Sequence, residues 1–365
     1  IVTTFDQRGR KTQLADPNAG TWNYRYNALG ELTGQQSPLQ VAGTPSITAG
    51  HWTTLAYDLL GRLVSRTEPE YPTTWSYDKY ANNAACTKGI GKLCEVVTSH
   101  GVSKKTVYDS YGRPSSTTQA VTSGPSFTSS QTYDANGRLA TATYPTGVSV
   151  THTYTALGYP SQISRGATML WQLTKTNAWG KPEQFVLGDA AQTTQHGFDA
   201  QTGRATAIQA GSAASPAALL SHAYGWDTVG NLTDRVEVYD PGSNHSLSEN
   251  FGYDGLNRLT SYQTSSPGIA SLSRTVSLAY SPIGNILYKS DVGIYSYPAS
   301  GAASVRPGAV ASIAAGSGGT LGYSYDVAGN LTGGSGGKYS QVSYTSFNLP
   351  DGQNGVLGAN ANRYT

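Results

Sequence analysis

Aspartates with a fixed set of neighbours are the residues of this sequence best placed for chemistry. Asp58, Asp134 and Asp227 each follow an aromatic residue, and each stands three positions before a glycine. Acid–base catalysis needs two carboxylates in contrasting environments, whereas these carboxylates recur in near-identical contexts. Ca²⁺ needs six to eight oxygen ligands, and each context offers a single carboxylate. We therefore interpret these aspartates as turn residues and expect neither catalysis nor a bound metal.

The histidines offer no better site. The six histidines are scattered, so none forms a local metal-binding pair. His152 and His196 stand two positions before an aromatic residue, where we expect packed imidazoles. The sequence has no nucleophile elbow, phosphate-binding loop or dinucleotide fingerprint. We expect no enzymatic activity and no cofactor.

Two cysteines, Cys86 and Cys94, are separated by seven residues. They could form a disulfide, remain free thiols or bind a metal. A metal site usually needs four ligands at tighter spacing, and a redox pair is usually Cys-x-x-Cys. We favour a disulfide that closes a small loop, which would stabilise the fold by roughly 2.5 kcal/mol and would indicate an oxidising, extracellular setting.

A short motif recurs along the whole chain. Tyr57-Asp58-Leu59-Leu60-Gly61-Arg62-Leu63 returns as Tyr133-Asp134-Ala135-Asn136-Gly137-Arg138-Leu139. Counting decayed copies, the chain contains about fourteen in all, and nearly all of them start roughly 20 to 30 residues apart. We number the aromatic residue as position 1, Asp as position 2, Gly as position 5 and Arg as position 6. The clearest motif residues are Tyr57, Asp58, Gly61, Arg62, Tyr108, Asp109, Gly112, Arg113, Tyr133, Asp134, Gly137, Arg138, Trp226, Asp227, Gly230, Tyr253, Asp254, Asn257, Arg258, Tyr325, Asp326 and Gly329.

The spacing within the motif predicts a β-hairpin. Position 1 and the residue two before it lie on one face of a strand, as with Tyr24 and Tyr26. Asp accepts backbone N–H groups two residues on, and position 5 needs a left-handed backbone that Gly, and next Asn, tolerates best. We therefore predict positive φ at six such positions: Gly61, Gly112, Gly137, Gly230, Gly329 and Asn257.

Position 6 is arginine in six copies: Arg10, Arg62, Arg113, Arg138, Arg204 and Arg258. It could pair with the Asp of its own turn or of a neighbouring turn. It could also be a solvated strand residue, since exposed ion pairs contribute only about 0–1 kcal/mol. Because Asn231, Asn285 and Asn330 replace it while the rest of the motif remains, we favour the solvated interpretation.

Composition supports an all-β fold. Charged residues make up 13% of the chain, and it contains 43 Gly and 25 Tyr. Gly and β-branched residues disfavour helices, so we expect less than about a tenth of the chain in helix. We predict a single repeat array over residues 1–365, with loop-like interruptions at about 37–50, 211–218 and 298–319. About 28 strands exceed what an open sheet holds without curling, so the sheet should be continuous and curved, with water-accessible faces, as part of a hollow shell or tube.

Charge and hydropathy suggest no nucleic acid or membrane partner. The formal net charge is +2, without basic or acidic runs, and no apolar stretch approaches the roughly 18 residues of a membrane span. The chain opens at Ile1 without a signal-like segment and stops at Tyr364-Thr365, inside a repeat. We expect it to be a fragment of a larger protein.

The Tyr-Asp-x-x-Gly-Arg-Leu motifs resemble the YD repeats of the RHS family, which includes bacterial polymorphic toxins, shell subunits of insecticidal toxin complexes and the animal teneurins. The resemblance implies a β-ribbon wound around a hollow interior. In toxin members the shell encloses a C-terminal effector, which a core with an Asp-Pro signature releases. The Asp-Pro pairs of this chain, Asp16-Pro17 and Asp240-Pro241, lie inside the array without that signature, so neither core nor effector is recognisable.

The leading functional hypothesis is a structural one. The chain would be a segment of an RHS-type shell from a secreted or cell-surface bacterial protein that encapsulates or delivers a polypeptide toxin. Its partners would be flanking repeats or further copies, together with an enclosed cargo. The alternative is an extracellular adhesin or fibre whose Tyr-rich repeats bind a partner or self-assemble.

Overall fold

The fold was analysed in a computed structural model, which describes residues 1–44, 47–188, 191–239, 245–267, 269–301, 303–316, 318–335, 339–355 and 362–363. Of the described residues, about 55% lie in strands and 2% in helices. The prediction of an all-β array with little helix is confirmed. None of the helices in the described ranges has the length and apolar character that crossing a membrane requires.

The described part of the chain contains 31 strands, one short α-helix and one 3₁₀ helix. The first ten strands, with α1 at Pro38–Ala42, are β1 Val2–Phe5, β2 Lys11–Asp16, β3 Gly20–Tyr26, β4 Leu32–Gln36, β5 Thr53–Tyr57, β6 Leu63–Thr67, β7 Pro72–Tyr77, β8 Leu93–Thr98, β9 Val102–Tyr108 and β10 Pro114–Val121. The middle strands are β11 Ser126–Tyr133, β12 Leu139–Thr143, β13 Ser149–Tyr154, β14 Pro160–Arg165, β15 Thr168–Thr176, β16 Pro182–Leu187, β17 Gln192–Phe198, β18 Ala205–Gly211, β19 Leu220–Trp226, β20 Leu232–Tyr239, β21 His245–Tyr253 and β22 Leu259–Ser265. The 3₁₀ helix Ala270–Leu272 precedes β23 Arg274–Tyr280, β24 Ile286–Lys289, β25 Gly293–Ser296, β26 Ser312–Ala315, β27 Gly319–Tyr325, β28 Leu331–Ser335, β29 Tyr339–Tyr344, β30 Pro350–Gly355 and β31 Asn362–Arg363.

Each motif forms the turn of an antiparallel hairpin. Tyr57 pairs with Leu63, and the register shifts between Ala56 and Tyr57, which marks a β-bulge beside the turn. Gly61 N–H donates to Asp58 O at 3.0 Å, and Asp58 N–H donates to Arg62 O at 3.0 Å. This is a three-residue hairpin loop that ends in a left-handed residue.

Position 5 has the predicted backbone. The φ angles are +74° at Gly61, +72° at Gly112, +79° at Gly137, +104° at Gly230, +83° at Gly329 and +60° at Asn257. The prediction of positive φ is therefore confirmed at all six positions. The turn explains the residue type, because a Cβ at a left-handed residue is strained for most side chains.

By its contacts the chain divides into two compact units. Unit 1 contains Ile1–Phe127, Tyr280–Tyr288 and Val292–Thr365, and unit 2 contains Thr128–Ala279 and Lys289–Asp291. The prediction of one uninterrupted array over residues 1–365 stays a prediction.

In both units, consecutive strands are antiparallel neighbours: β1 to β10 and β25 to β31 in unit 1, and β11 to β23 in unit 2. Turns therefore alternate between two edges. We call the turns that carry positions 2 to 6 motif turns, and those at the opposite edge linker turns.

Unit 1 contains an internal joint where motif turns of its C-terminal repeats meet linker turns of its N-terminal repeats. Leu39 and Ile47 are almost fully buried and pack with Ala328 and Tyr344. Gly308 N–H donates to Asn18 Oδ1 at 2.8 Å. The backbone also comes close here, because a Cβ built on Gly329 would lie 2.2 Å from Asn18 O.

A second contact of the same joint uses a side-chain carboxylate. Glu70 Oε1 and Oε2 accept from Ser346 N–H and Ser346 Oγ–H, each at 2.6 Å. The Phe347 ring lies 5.9 Å from the Tyr71 ring. Successive motif turns of the C-terminal repeats thus rest on successive linker turns of the N-terminal repeats.

The interruptions are more ordered than the sequence indicates. Residues 37–50 contain α1. Reciprocal hydrogen bonds between Ser37 and Gln40 cap the start of this helix. Residues 298–319 contain β26, and β18 extends to Gly211. The loop-like description was therefore wrong for parts of these segments. Their Ser, Gly and Ala content hides the order, because tertiary packing and capping supply it. Asp240-Pro241 and Tyr364-Thr365 lie outside the described residues.

Candidate functional site: the coupled motif turns

The position 2 aspartate organises the turn with both of its oxygens. Asp58 Oδ1 accepts the N–H groups of Leu60 at 2.9 Å and Arg62 at 3.0 Å, and Asp58 Oδ2 accepts Arg62 Nε–H at 2.7 Å. The same pattern occurs at Asp6, Asp109, Asp134 and Asp254. The carboxylate therefore satisfies backbone donors that the reversal leaves unpaired.

These hydrogen bonds also keep the carboxylates ionised. The N–H of the arginine four residues on, followed by that arginine's side chain, lowers the pKa of Asp6, Asp58 and Asp254. Across the part of the chain that the structure describes, no group of three or more His, Cys, Asp or Glu could hold a metal ion. The repeated carboxylates are committed to the turns.

The arginine at position 6 links its own turn to the following repeat. Besides pairing with Asp58, Arg62 donates from Nη2 to Asp78 Oδ2 at 2.8 Å, and its guanidinium lies 4.5 Å from the centre of the Tyr77 ring. Arg62 retains 23% side-chain exposure. Arg138 likewise stacks on Tyr154 at 4.3 Å. The interpretation of these arginines as solvated strand residues was wrong.

Arginines also bind the backbone of the next motif turn. Arg10 donates to Asn27 O at 2.9 Å, and Arg204 donates to Asp227 O at 2.7 Å. The turn before Arg204 is one residue longer, and there Asp199 accepts from Thr202 at 2.7 Å. Arg204 thus retains the forward contact to the next turn.

Asparagine at position 6 makes the same two kinds of contact with a shorter side chain: one bond within its own turn and one to the next turn. Asn231 Nδ2 donates to Asp227 Oδ2 at 2.8 Å within its turn and to Asn257 Oδ1 at 3.0 Å in the next. Asn330 does the same with Asp326 at 3.0 Å and Asn348 at 2.9 Å. The two position 5 asparagines, Asn257 and Asn348, are therefore the acceptors for position 6 asparagines one repeat earlier.

The tyrosine at position 1 makes the backward link. Tyr57 Oη–H donates to Leu32 O at 2.9 Å, and Leu32 begins the strand after the preceding motif turn. Equivalent bonds run from Tyr26, Tyr108, Tyr154, Tyr253, Tyr325 and Tyr344, and Trp226 uses its indole N–H in the same way. In these eight repeats a hydroxyl or indole donor thus holds the preceding repeat.

Copies without aspartate keep the same turn with other acceptors. Asn177 Oδ1 accepts Lys181 N–H at 2.9 Å, and Thr155 Oγ1 accepts Tyr159 N–H at 3.1 Å. In the turn at Asn27 the roles are reversed, because Asn27 Nδ2 donates to Glu31 Oε2 at 2.6 Å. Degenerate motifs are therefore structurally equivalent turns.

A disulfide closes the enlarged motif turn between β7 and β8. Cys86 and Cys94 are bonded with their Cα atoms 6.0 Å apart, and both are buried. The bond lies against Gly89, where a Cβ would stand 2.2 Å from Cys86 Sγ. Nearby, the buried Glu95 accepts Ala81 N–H at 2.8 Å.

The histidines singled out in the sequence are packing residues. The His196 ring lies 5.6 Å from the Phe185 ring and 6.1 Å from the Phe198 ring, both edge-on. His152 stands in β13 opposite Ile163. Neither adjoins a carboxylate that would make a catalytic pair in these contacts.

Comparison with known proteins agrees with this geometry. Residues 133–168, which include Tyr133 to Arg138 and the turn at Thr155, match the family model described as RHS Repeat. Residues 133–168 are thus similar to an RHS repeat. The chain's predicted resemblance to the RHS family, with YD repeats, is thereby confirmed. No curated protein matches the chain.

The fold of this chain is similar to parts of two larger solved structures. Against the Photorhabdus luminescens Tc holotoxin pore, the TM-score is 0.64 at 14% identity, covering 100% of this chain and 19% of that one. Against the TcdB2-TccC3 crystal structure, the TM-score is 0.57 at 13% identity, covering 99% and 21%. The chain thus spans about a fifth of the length of either structure, and the similarity concerns the fold.

Proposed function

We propose that this chain is a wall segment of an RHS-type β-shell, part of a secreted bacterial protein that encloses a polypeptide cargo. The observation that carries the proposal is the fold similarity over the full chain to the Tc holotoxin pore structure. This role is structural, and the recurring side chains at positions 1 and 6 of the motif bind neighbouring repeats, as Tyr57 and Arg62 do.

The coupling between turns supports a continuous wall. Arg62 reaches forward to Asp78, and Tyr57 reaches back to Leu32, so one repeat is tied to both neighbours. Charge-assisted hydrogen bonds of this kind are stronger than neutral ones. The joint between Glu70 and Ser346 adds a contact between segments far apart in sequence.

The disulfide supports the proposed location. Cys86 and Cys94 are oxidised and buried. Disulfides persist in secreted and cell-surface proteins, whereas the cytosol keeps thiols reduced. A protein that carries this bond as a fixed part of a motif turn is suited to an extracellular environment.

The test is protease protection in the full gene product purified from culture medium. Peptides from segments outside the repeat array should survive limited proteolysis and should become cleavable at the urea concentration that unfolds the β-sheet. The same segments expressed alone serve as the control and should be cut rapidly. Equal cleavage rates in both preparations would rule out an enclosed cargo, and would favour the adhesin or fibre role.

A further inference from the structure

The residue at position 4 of the motif turns is apolar in most repeats and exposed at the motif-turn edge. The position 4 residues of unit 2 are, in chain order, Asn136, Leu157, Trp179, Gln201, Val229 and Leu256, and the four apolar ones are 86%, 52%, 69% and 69% exposed. Neighbouring motif turns of unit 2 contact one another, as Arg204 and Asp227 do. Unit 2 therefore presents four exposed apolar side chains along one edge, in two pairs separated by Gln201, and we call these four side chains the apolar turn row. Exposed apolar patches on a protein surface mark interaction sites.

Unit 1 shows what covers such a row. At position 4 of its C-terminal motif turns stand Ala328 and Phe347. Ala328 is only 8% exposed because Leu39 and Ile47 pack on it. Phe347 lies against Tyr71. In both cases the covering surface is the linker-turn edge of other repeats in the same unit.

Unit 2 also carries an exposed linker-turn edge with apolar side chains. Tyr144 lies in the linker turn 144–148 and Leu219 follows the long linker 212–218. Ile269 precedes the 3₁₀ helix and Leu272 is its last residue. All four are exposed. The unit thus offers both halves of the joint that unit 1 forms internally.

We propose that this chain self-associates head to tail, with the apolar turn row of unit 2 in one copy seated on the linker-turn edge of unit 2 in a second copy. The second copy repeats the contact seen between Ala328 and the Leu39 segment. The two halves are different surfaces, so the contact is heterologous and leaves one free edge at each end. Association of this type is open-ended, and it does not depend on an enclosed cargo.

Sedimentation velocity of the whole chain over a wide concentration range tests the proposal. The weight-average sedimentation coefficient should rise with concentration without reaching a dimer plateau. Leu157→Asn combined with Leu256→Asn should weaken association at least tenfold. Asparagine suits this position, because Asn136 stands at position 4 of the neighbouring repeat with its N–H bound to Asp134 Oδ1. Leu170→Thr, on an exposed strand position between the two edges, is the matched control and should leave association unchanged.

Cross-linking then tests the direction of the contact. One chain carries Leu256→Cys and another carries Ala214→Cys in the linker 212–218, and a short bis-maleimide is added. A mixture should give cross-linked dimers, whereas each chain alone should give far fewer. A chain that stays monomeric at all concentrations would overturn the proposal, as would a closed dimer in which Leu256→Cys cross-links to itself. The protease-protection result is unaffected by either outcome.

Discussion

The Asn231 side chain joins two consecutive turns by donating to Asp227 Oδ2 and, 26 residues along the chain, to Asn257 Oδ1. Asn257 occupies a left-handed position that Gly fills in most copies. The energetic cost of a non-glycine residue at positive φ is therefore offset by a contact between repeats. Asn257, although sterically unfavourable at positive φ, supplies the acceptor that Asn231 uses.

A double-mutant cycle should detect this link. We expect Asn231→Ala and Asn257→Gly to couple by about 0.5–1.5 kcal/mol in the free energy of unfolding, the usual contribution of one hydrogen bond. Urea denaturation of the two single variants and the double variant measures the coupling. Asn231→Ala with Asn348→Gly, where the acceptor belongs to Asn330, is the control and should be additive.

Acid should destabilise the fold through its turn aspartates. Because backbone N–H donors lower the pKa of Asp58 and Asp254 in the folded state, these groups contribute stability above the usual Asp pKa of about 4. That contribution is lost as the pH falls through the lowered folded pKa. Asp58→Asn should therefore show a smaller drop in urea midpoint between pH 7 and pH 3 than the parent chain. Thr155→Asn changes a turn without a carboxylate and should keep the full drop in urea midpoint. If Asp58→Asn showed the same drop as the parent chain, Asp58 would not contribute to the acid sensitivity.

Gly89 should be required only while the disulfide is present. A Cβ there would stand 2.2 Å from Cys86 Sγ and 2.6 Å from Cys94 Sγ. We expect Gly89→Ala to lower the free energy of unfolding by about 1–3 kcal/mol, as overpacking does. A Cβ on Gly89 would also stand 2.7 Å from the Cys86 Cβ, so the background must remove that atom as well as the two sulfurs. In a Cys86→Gly, Cys94→Ala background, where loss of the disulfide itself costs about 2–3 kcal/mol, the same change should cost under about 1 kcal/mol. Equal costs in the two backgrounds would show that the disulfide is not the reason why position 89 requires glycine.

The joint in unit 1 can be tested with two glycines of similar backbone. Gly329 and Gly284 have φ of +83° and +93°, and only at Gly329 would a Cβ meet another segment, 2.2 Å from Asn18 O. Both alanine variants carry the left-handed strain of about 1–2 kcal/mol. Gly329→Ala should lose a further 1–3 kcal/mol, roughly, and should increase amide exchange in residues 17–19. Identical losses for the two variants would count against the joint.

The sequence was sufficient for the fold because the fold is local. Position 2 acceptors and left-handed position 5 residues fix each hairpin within a few residues, so Asp58 and Gly61 could be interpreted correctly in isolation. The contacts between repeats were harder to predict. Whether Arg62 is solvated or stacked depends on the strand that follows. The replacement of Arg by Asn at position 6 favours a solvated position in the sequence, although Asn231 makes equivalent bonds in the structure.

The sequence contains one signal for the contacts between repeats. The position 5 asparagines Asn257 and Asn348 each follow a repeat whose position 6 is Asn. That correlation predicts a side-chain contact, which the structure contains. The joint through Glu70 and Ser346 left no such signal, because 276 residues separate the two partners, Glu70 lies in a linker turn and Ser346 stands at position 3, where the motif has no fixed residue type.

The motif-turn edge and the linker-turn edge should differ in how well they tolerate inserted residues. A motif turn is bonded to its neighbours in both directions, and the extra residue before Arg204 changes the partner of Asp199. In the linker turns that the structure describes, no such bonds recur from repeat to repeat, and the longer linkers 37–52 and 212–219 leave the neighbouring strand registers regular. Peptide tags, reporter loops or entire inserted domains should therefore be tolerated at exposed linker turns such as 144–148, while a single residue added beside Gly137 should disturb two repeats. The enlarged motif turn between β7 and β8 shows what an insertion at the other edge requires, because there a disulfide between Cys86 and Cys94 closes the added residues.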